Sequence, residues 1–365
     1  MKINDIINVL ENLASPALQE TYDNAGLITG DAQRECTGVL CSLDTTEPVV
    51  EEAIKKQCNL IVAHHPVIFK GLKKITGKNY VERTIIKAIK NDISIYAIHT
   101  NLDNIVSGVN GKMADKLELV NRTVLLPRAS TLKKLYTFVP TDHVDNLRNA
   151  LFAAGAGHIG NYSSCSFNSE GTGTFKGEAG SNPFAGKTGE LHFEKEVKIE
   201  VIFPAWLEQR LLQALHSAHP YEEVAYDVIA LENAHQHIGA GLLGEIPNPM
   251  PEQDFLALLK ARFGLRQVRH TRLTGNTIRK IALCGGSGSF LITNALQAKA
   301  DIYISADIKY HEFFDANDQM VIADIGHFES EQYTVDILHD ILLEKFPNFA
   351  VLKTAVNTNP VFYYA

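Results

Sequence analysis

Strongly apolar segments of strand length alternate with segments of helical periodicity in the first third of this 365-residue chain. Strands are predicted at 38–43, 59–63 and 93–98, and helices at 3–13, 48–56 and 81–90. Apolar strands that alternate with helices are typical of a mostly parallel sheet covered on both faces. This pattern therefore predicts an α/β fold.

The same alternation returns after residue 239, with strands predicted at 280–284, 301–305 and 319–324. Residues 53–65 also align with residues 295–307 at a constant offset. We therefore predict one core domain built from two similar α/β halves, residues 1–130 and residues 236–365.

The middle of the chain has a different pattern, in the order strand, helix, two strands, helix, strand. Two strand–Pro–helix segments repeat within it, because Pro140, Leu147 and Leu151 match Pro204, Leu211 and Leu215 at one offset. This order is that of the ferredoxin-like βαββαβ domain. We predict that residues 131–235 form such a domain, inserted into the core domain.

Histidine and acidic side chains follow the predicted strands of the core domain. His64 and His65 come directly after the 59–63 strand, and Asp103 follows the 93–98 strand. His327 and Glu331, spaced i, i+4 for one helix face, open a long helix predicted to run to residue 345. Functional groups gather at the carboxyl ends of parallel strands, so these five side chains can converge. Imidazole mixed with carboxylate suits Zn, Fe, Mn or Co, and five ligands are enough for two ions.

Each of these residues also has an ordinary structural interpretation. A histidine after a strand is usually a surface or core group, and His-Glu pairs at i, i+4 are common by chance. The adjacent histidine pair and the placement at strand ends favour the metal hypothesis more than any of these residues does alone. The glycine-rich segment 285–289 has two interpretations as well, an anion site made of backbone amides or a sharp turn.

The net charge of −8 argues against a general nucleic-acid binder, which needs clustered Lys and Arg. One short basic stretch, residues 69–74, is interpreted as a solvated loop. The five cysteines contain no C-x-x-C pair, and the chain has neither a long apolar run nor an evident secretory signal. We therefore expect a reduced, cytoplasmic protein without a membrane span.

Six motifs resemble those of one known family, the dinuclear-metal, hexameric proteins related to NGG-interacting factor three, also called GTP cyclohydrolase I type 2 homologues. The motifs are 22–27 (YDNAGL), 63–66 (AHHP), 99–103 (HTNLD), 285–289 (GGSGS), 305–311 (SADIKYH) and 326–331 (GHFESE). The middle segment resembles the PII/CutA-like insert of the long bacterial members, through residues 219–224 (HPYEEV).

The resemblance implies two divalent metal ions per subunit (Zn, Fe or Mn) and a toroidal homohexamer. It also implies five metal ligands, with Glu331 as the bridge: His64, His65, Asp103, His327 and Glu331. Two departures from the family pattern, Ala306 for Gly and Tyr22 for Trp, do not touch a ligand. Asp307 and His311 follow a predicted strand and are our candidates for catalytic proton transfer.

These observations predict a dinuclear metal-dependent hydrolase. The resemblance implies GTP as the substrate, with the purine ring opened by metal-activated water. Two alternatives stay open: a metal-dependent phosphoesterase, and a non-enzymatic metal-binding regulatory or scaffold hexamer. The expected partners are the other subunits of the hexamer and a nucleotide substrate. We expect no membrane partner and no nucleic-acid partner.

Overall fold

The structure is a computed structural model that describes residues 1–364 and has a mixed α/β fold, as the alternation predicts. It divides into two compact units, a core unit of residues 1–126 with 237–365 and a middle unit of residues 127–236. Within the described residues, no helix combines the length and apolar character that crossing a bilayer requires.

The strands and helices alternate along the chain. In chain order the strands are β1 (Gly26–Thr29), β2 (Val39–Ser42), β3 (Leu60–Ala63), β4 (Ser94–Ala97), β5 (Val120–Arg128), β6 (Leu132–Pro140), β7 (Phe167–Lys176), β8 (Leu191–Pro204), β9 (Tyr226–Leu231), β10 (His235–Pro251), β11 (Arg269–His270), β12 (Thr277–Ser287), β13 (Ile302–Ala306), β14 (Val321–Asp324) and β15 (Val351–Lys353). The helices are α1 (Ile3–Leu13), α2 (Glu47–Lys55), α3 (Tyr80–Lys90), α4 (Thr100–Asp103), α5 (Val109–Lys116), α6 (Val144–Ala153), α7 (Glu208–Ala218), α8 (Glu252–Phe263), α9 (Ile292–Gln297), α10 (His327–Glu331) and α11 (Thr334–Lys345).

The core unit contains two sheets, each built around parallel strands. The first has the order β1-β4-β3-β2-β15, in which only β1 runs antiparallel to its neighbour. The second has the order β11-β14-β13-β12-β10-β5, with β12, β13 and β14 parallel. Every residue of β2, β3, β4, β13 and β14 is buried, which explains their continuous apolar sequences.

The middle unit contains a single four-stranded antiparallel sheet in the order β7-β8-β6-β9. Its helices α6 and α7 follow β6 and β8, and they contribute Leu147, Leu151, Leu211 and Leu215 to the unit's own apolar core. The core therefore depends on the leucines of the repeated strand–Pro–helix segments.

The predicted long helix after β14 is wrong, because the structure has two helices there. α10 ends at Glu331 and α11 begins at Thr334, with Gln332 and Tyr333 between them. The two helices have different roles. α10 carries the candidate ligands His327 and Glu331, whereas α11 buries the apolar side chains of Ile337, Leu338 and Leu342.

The loop before α3 is fixed by one buried carboxylate. Glu82 accepts hydrogen bonds from the Thr76 amide (2.7 Å), the Thr76 hydroxyl (2.9 Å), the Lys78 amide (3.1 Å) and the Asn79 side-chain amide (3.1 Å). The backbone amides of Thr76 and Lys78 are the main reason why the pKa of Glu82 falls to about 2.

This depressed pKa predicts a specific acid response. The Glu82 carboxylate stabilises the folded state fully above its unfolded-state pKa of about 4.5, and the contribution disappears as the pH falls through about 2. In denaturant titrations, the stability difference between wild type and Glu82→Gln should be constant from pH 7 to 5 and shrink below pH 4.5. A difference that stays the same down to pH 2 would contradict the assignment.

Candidate metal centre

The five predicted ligands lie at the carboxyl ends of three buried strands of the core unit. His64 and His65 follow β3, and Asp103 ends α4, the short helix after β4. His327 and Glu331 are the first and last residues of α10, which follows β14 of the second sheet. The ends of the two sheets therefore supply one cluster.

Glu331 lies at the centre of the cluster and is 3% exposed. Its Oε2 lies 2.9 Å from His65 Nε2 and 3.0 Å from His327 Nε2. Its Oε1 lies 3.9 Å from His64 Nε2, which in turn lies 3.5 Å from Asp103 Oδ1. The two oxygens of one carboxylate thus face two different groups of side chains, and each group could hold a metal ion.

His64 is fully buried, and its Nδ1–H donates to the Ile98 carbonyl at 2.9 Å. This bond leaves Nε2 as the acceptor nitrogen, and burial lowers the pKa of the ring to about 3, so the imidazole is neutral. His64 Nε2 and Asp103 Oδ1 are both buried without a hydrogen-bond partner among the described residues. Because orphaned buried polar atoms are rare, this pair fits a cation that both atoms would bind.

His65 is oriented by a carboxylate on its other side. Its Nδ1–H donates to Asp44 Oδ1 at 2.7 Å, and Asp44 Oδ2 accepts from the Thr358 hydroxyl. A carboxylate–histidine pair of this kind fixes the ring that a metal binds. Burial alone would lower the pKa of His65, but its hydrogen bonds to Asp44 and Glu331 raise it to about 9.

Asp307 holds His327 in the same way, since the His327 Nδ1–H donates to Asp307 Oδ2 at 2.7 Å. Burial opposes protonation of His327, but the bonds to Asp307 and Glu331 raise its pKa to about 11. The same bond lowers the pKa of Asp307. The structure thus places Asp307 behind a candidate ligand, a contact that fits a positioning residue. Its role in catalytic proton transfer stays a prediction.

The cluster concentrates negative charge in a buried place. Burial raises the pKa of Asp103 well above its usual range, and repulsion from Glu331 adds to the effect. Burial also opposes ionisation of Glu331, but bonds to His327 and His65 outweigh it and hold its pKa well below the usual value. Protons on His65 and His327 compensate the charge of Glu331, and divalent cations would compensate it by displacing those protons.

A glycine makes room for the central carboxylate. Gly286, at the end of β12, has φ +61°, and a Cβ there would lie 2.2 Å from Glu331 Oε1. The Gly286 amide donates to Ser330 Oγ, and the Gly285 amide donates to Asn110 Oδ1, both at 2.9 Å. These two amides are engaged within the protein. Residues 285–287 continue β12 through an irregularity in its pairing with β13, and Gly286 packs against Glu331 there.

His99 forms a second layer around the cluster. Its ring lies edge-on to those of His64 and His65, with centroids 5.2 and 5.3 Å away, and the three residues could also hold an ion. Its Nδ1–H donates to Asp23 Oδ1 at 2.7 Å. Hydrogen bonds from His99 and Thr100 outweigh burial and hold the pKa of Asp23 well below its usual range.

The structure does not bring His311 into any of the ligand groups found among residues 1–364. Its ring packs against the exposed side chains of Tyr310 and Phe314. A catalytic role for His311 therefore stays a prediction. Sequence reasoning missed Asp44, although it follows β2 and the strand-end argument that selected His64 applies to it too.

Replacing Asp307 with Asn should weaken metal binding by about 10–100-fold, the usual effect of losing a carboxylate behind a ligating histidine. Asp307 has φ +55°, which Asn adopts readily, so the backbone is not strained. Competition against a chelator measures the affinity. Asp318→Asn is the matched control, because Asp318 has φ +52° and is exposed. Equal affinities for the two variants would contradict the positioning role.

The motifs' resemblance is confirmed by comparison with known proteins. The family model for DUF34/NIF3 (NGG1p interacting factor 3) matches residues 1–360. Proteins named GTP cyclohydrolase 1 type 2 homolog are 41% identical over 97% of both chains in Halalkalibacterium halodurans, and 36% identical over 100% of both chains in Staphylococcus aureus. A crystal structure described as a Bacillus cereus protein related to NIF3 superposes with a TM-score of 0.89 at 38% identity, covering 100% of this chain and 99% of that one. The chain therefore belongs to the DUF34/NIF3 family.

Proposed function

We propose that the core unit is a metal-dependent hydrolase whose centre holds two divalent cations bridged by Glu331. The observation that carries this proposal is the division of ligands between the two Glu331 oxygens. On the Oε1 side, His64 and Asp103 would hold one ion. On the Oε2 side, His65 and His327 would hold the other. The unpartnered buried atoms of His64 and Asp103 support the first of these assignments.

When bound, a pair of divalent cations supplies Lewis-acid activation of water and of the group to be cleaved. The chain itself keeps the ligands in place for this chemistry. Asp44 and Asp307 fix the rings of His65 and His327, and the Ile98 carbonyl fixes the ring of His64. His99, held by Asp23, lies beside both histidines of β3 and would contact a substrate that reaches them.

GTP is the first substrate to test, because curated relatives carry the name GTP cyclohydrolase 1 type 2 homolog. The protein, stripped with a chelator and reloaded with Mn²⁺ or Zn²⁺, should release formate from GTP, and Glu331→Gln should not. Inorganic phosphate is measured in the same samples. Phosphate without formate would move the proposal to a phosphoesterase. Neither product, with metal bound, would favour the non-enzymatic alternative.

A homohexamer is part of the same proposal and rests on the family resemblance. Light scattering coupled to size exclusion should give the mass of six 40.3 kDa chains. A monomeric mass at micromolar concentration would contradict it.

A further inference from the structure

The segment between the second ligand histidine and α3 contains an exposed basic stretch. We call residues 69–75 the lysine strap; its sequence is Phe-Lys-Gly-Leu-Lys-Lys-Ile. Both flanks are fixed, because the Ile68 carbonyl accepts from the Asn24 side-chain amide at 2.7 Å and Thr76 is held by Glu82. The strap is thus a short exposed loop with anchored ends.

The strap begins at the rim of the metal centre. The Phe69 ring lies 5.6 Å from the His99 ring at an interplanar angle of 85°, and His99 in turn contacts both ligand histidines of β3. Phe69 is nevertheless 51% exposed. A large aromatic side chain that packs against His99 and keeps half of its surface in solvent offers a contact face for a planar ligand at the rim of the centre.

The strap carries three lysines close together in sequence. Lys70, Lys73 and Lys74 are exposed, and none of the three forms an ion pair with another described residue. Some surface lysines, such as Lys87 beside Glu51 and Lys198 beside Glu200, have acidic partners. Lys55 and Lys90 are exposed without an ion pair within residues 1–364, but they stand singly at helix ends. Three cations without ion pairs within five residues, in a chain with net charge −8, produce a local positive potential on the loop that starts at the rim of the centre.

We propose that the lysine strap binds the phosphate groups of a free nucleotide, while Phe69 contacts its base at the rim of the metal centre. This inference rests on the proposed function and specifies the substrate class: a planar aromatic ring joined to phosphates. Lysine ammonium groups bind phosphate as flexible point charges, which suits a loop that carries no fixed arginine fork.

The test compares two triple variants of the metal-loaded, full-length protein by calorimetric titration with GTP and with guanosine. The strap variant is Lys70→Gln, Lys73→Gln and Lys74→Gln. The control is Lys55→Gln, Lys90→Gln and Lys345→Gln, which removes the same charge from exposed positions at the ends of α2, α3 and α11. Each of these helix ends precedes a parallel strand, so the control sites lie at the opposite edge of the sheet.

The strap variant should bind GTP about tenfold more weakly, roughly the sum of three exposed charge interactions, and should bind guanosine as wild type does. The control should stay within about twofold of wild type for both ligands. Phe69→Ala should weaken GTP and guanosine alike. Equal losses of GTP affinity in the two triple variants, or no loss in either, would overturn the strap proposal.

Two further results separate this inference from the proposed function. Strap-dependent GTP binding with release of neither formate nor phosphate would keep the strap proposal and overturn the hydrolase. Formate release that is unchanged in the strap variant at sub-saturating GTP would keep the hydrolase and overturn the strap proposal. A single-stranded oligonucleotide that binds the strap more tightly than GTP would overturn the free nucleotide as its ligand.

Discussion

Replacing Glu331 with Gln is expected to abolish stable metal binding. Among residues 1–364, Glu331 alone belongs to both groups of candidate ligands, with one oxygen toward His64 and the other toward His65 and His327. The amide keeps the shape but loses the charge that attracts cations. The loss of affinity should exceed the ~10–100-fold that removal of an outer-shell partner costs. Elemental analysis of purified protein and titration of chelated protein both measure it.

The matched control is Glu329→Gln on the same helix. Glu329 lies two residues away and accepts from the Asn359 side-chain amide, but it belongs to none of the ligand groups among the described residues. Its variant should retain the metal content of wild type. Metal retained by Glu331→Gln at the wild-type level would refute the bridging assignment. Circular dichroism of both variants shows whether a loss comes from unfolding.

Replacing Gly286 with Ala is expected to disrupt the centre from outside the set of ligands. The new methyl group would lie 2.2 Å from Glu331 Oε1, so either the carboxylate or the backbone of β12 must move. The positive φ of +61° adds backbone strain. Overpacking of this kind typically costs about 1–3 kcal/mol of stability. We expect a lower melting temperature together with weaker metal binding.

Gly264→Ala is the control that separates the collision with Glu331 from the backbone strain. Gly264 ends α8 with φ +66°, and a Cβ there meets nothing within 4 Å. Its variant therefore carries similar backbone strain, about 1 kcal/mol, without a collision. It should lose stability and keep its metal affinity. If Gly286→Ala also keeps full metal affinity, the close approach of β12 does not position Glu331.

The sequence was informative about the local elements because burial and periodicity are local properties. The sequences of β2, β3 and β4 are continuously apolar because both faces of their sheet are covered. The structure buries every residue in these three strands. The motif at residues 63–66 marks a strand end directly. The α/β class could be predicted in this way, whereas the family was predicted from the resemblance of six motifs to those of known proteins.

Helix continuity was less predictable. The periodicity after residue 331 continues across the break between α10 and α11, so the sequence pattern alone suggests one helix. The separation appears only when α10 presents His327 and Glu331 to the cluster while α11 packs its apolar face into the core. Tertiary contacts override local helical preference at such positions.

The sequence by itself determined which side chains were candidate ligands, because local patterns place each of them beside a strand end. These candidates are His64, His65, Asp103, His327 and Glu331. Only the tertiary structure decided their arrangement. His65 and Glu331 are 266 residues apart in sequence and 2.9 Å apart in space, and no local pattern encodes that distance. Asp44 reaches His65 because β2 and β3 lie side by side in the first sheet, and Gly286 leaves space for Glu331 where β12 and the helix after β14 meet in the second sheet. These contacts depend on strand pairing between segments that are distant in sequence, which no local pattern specifies.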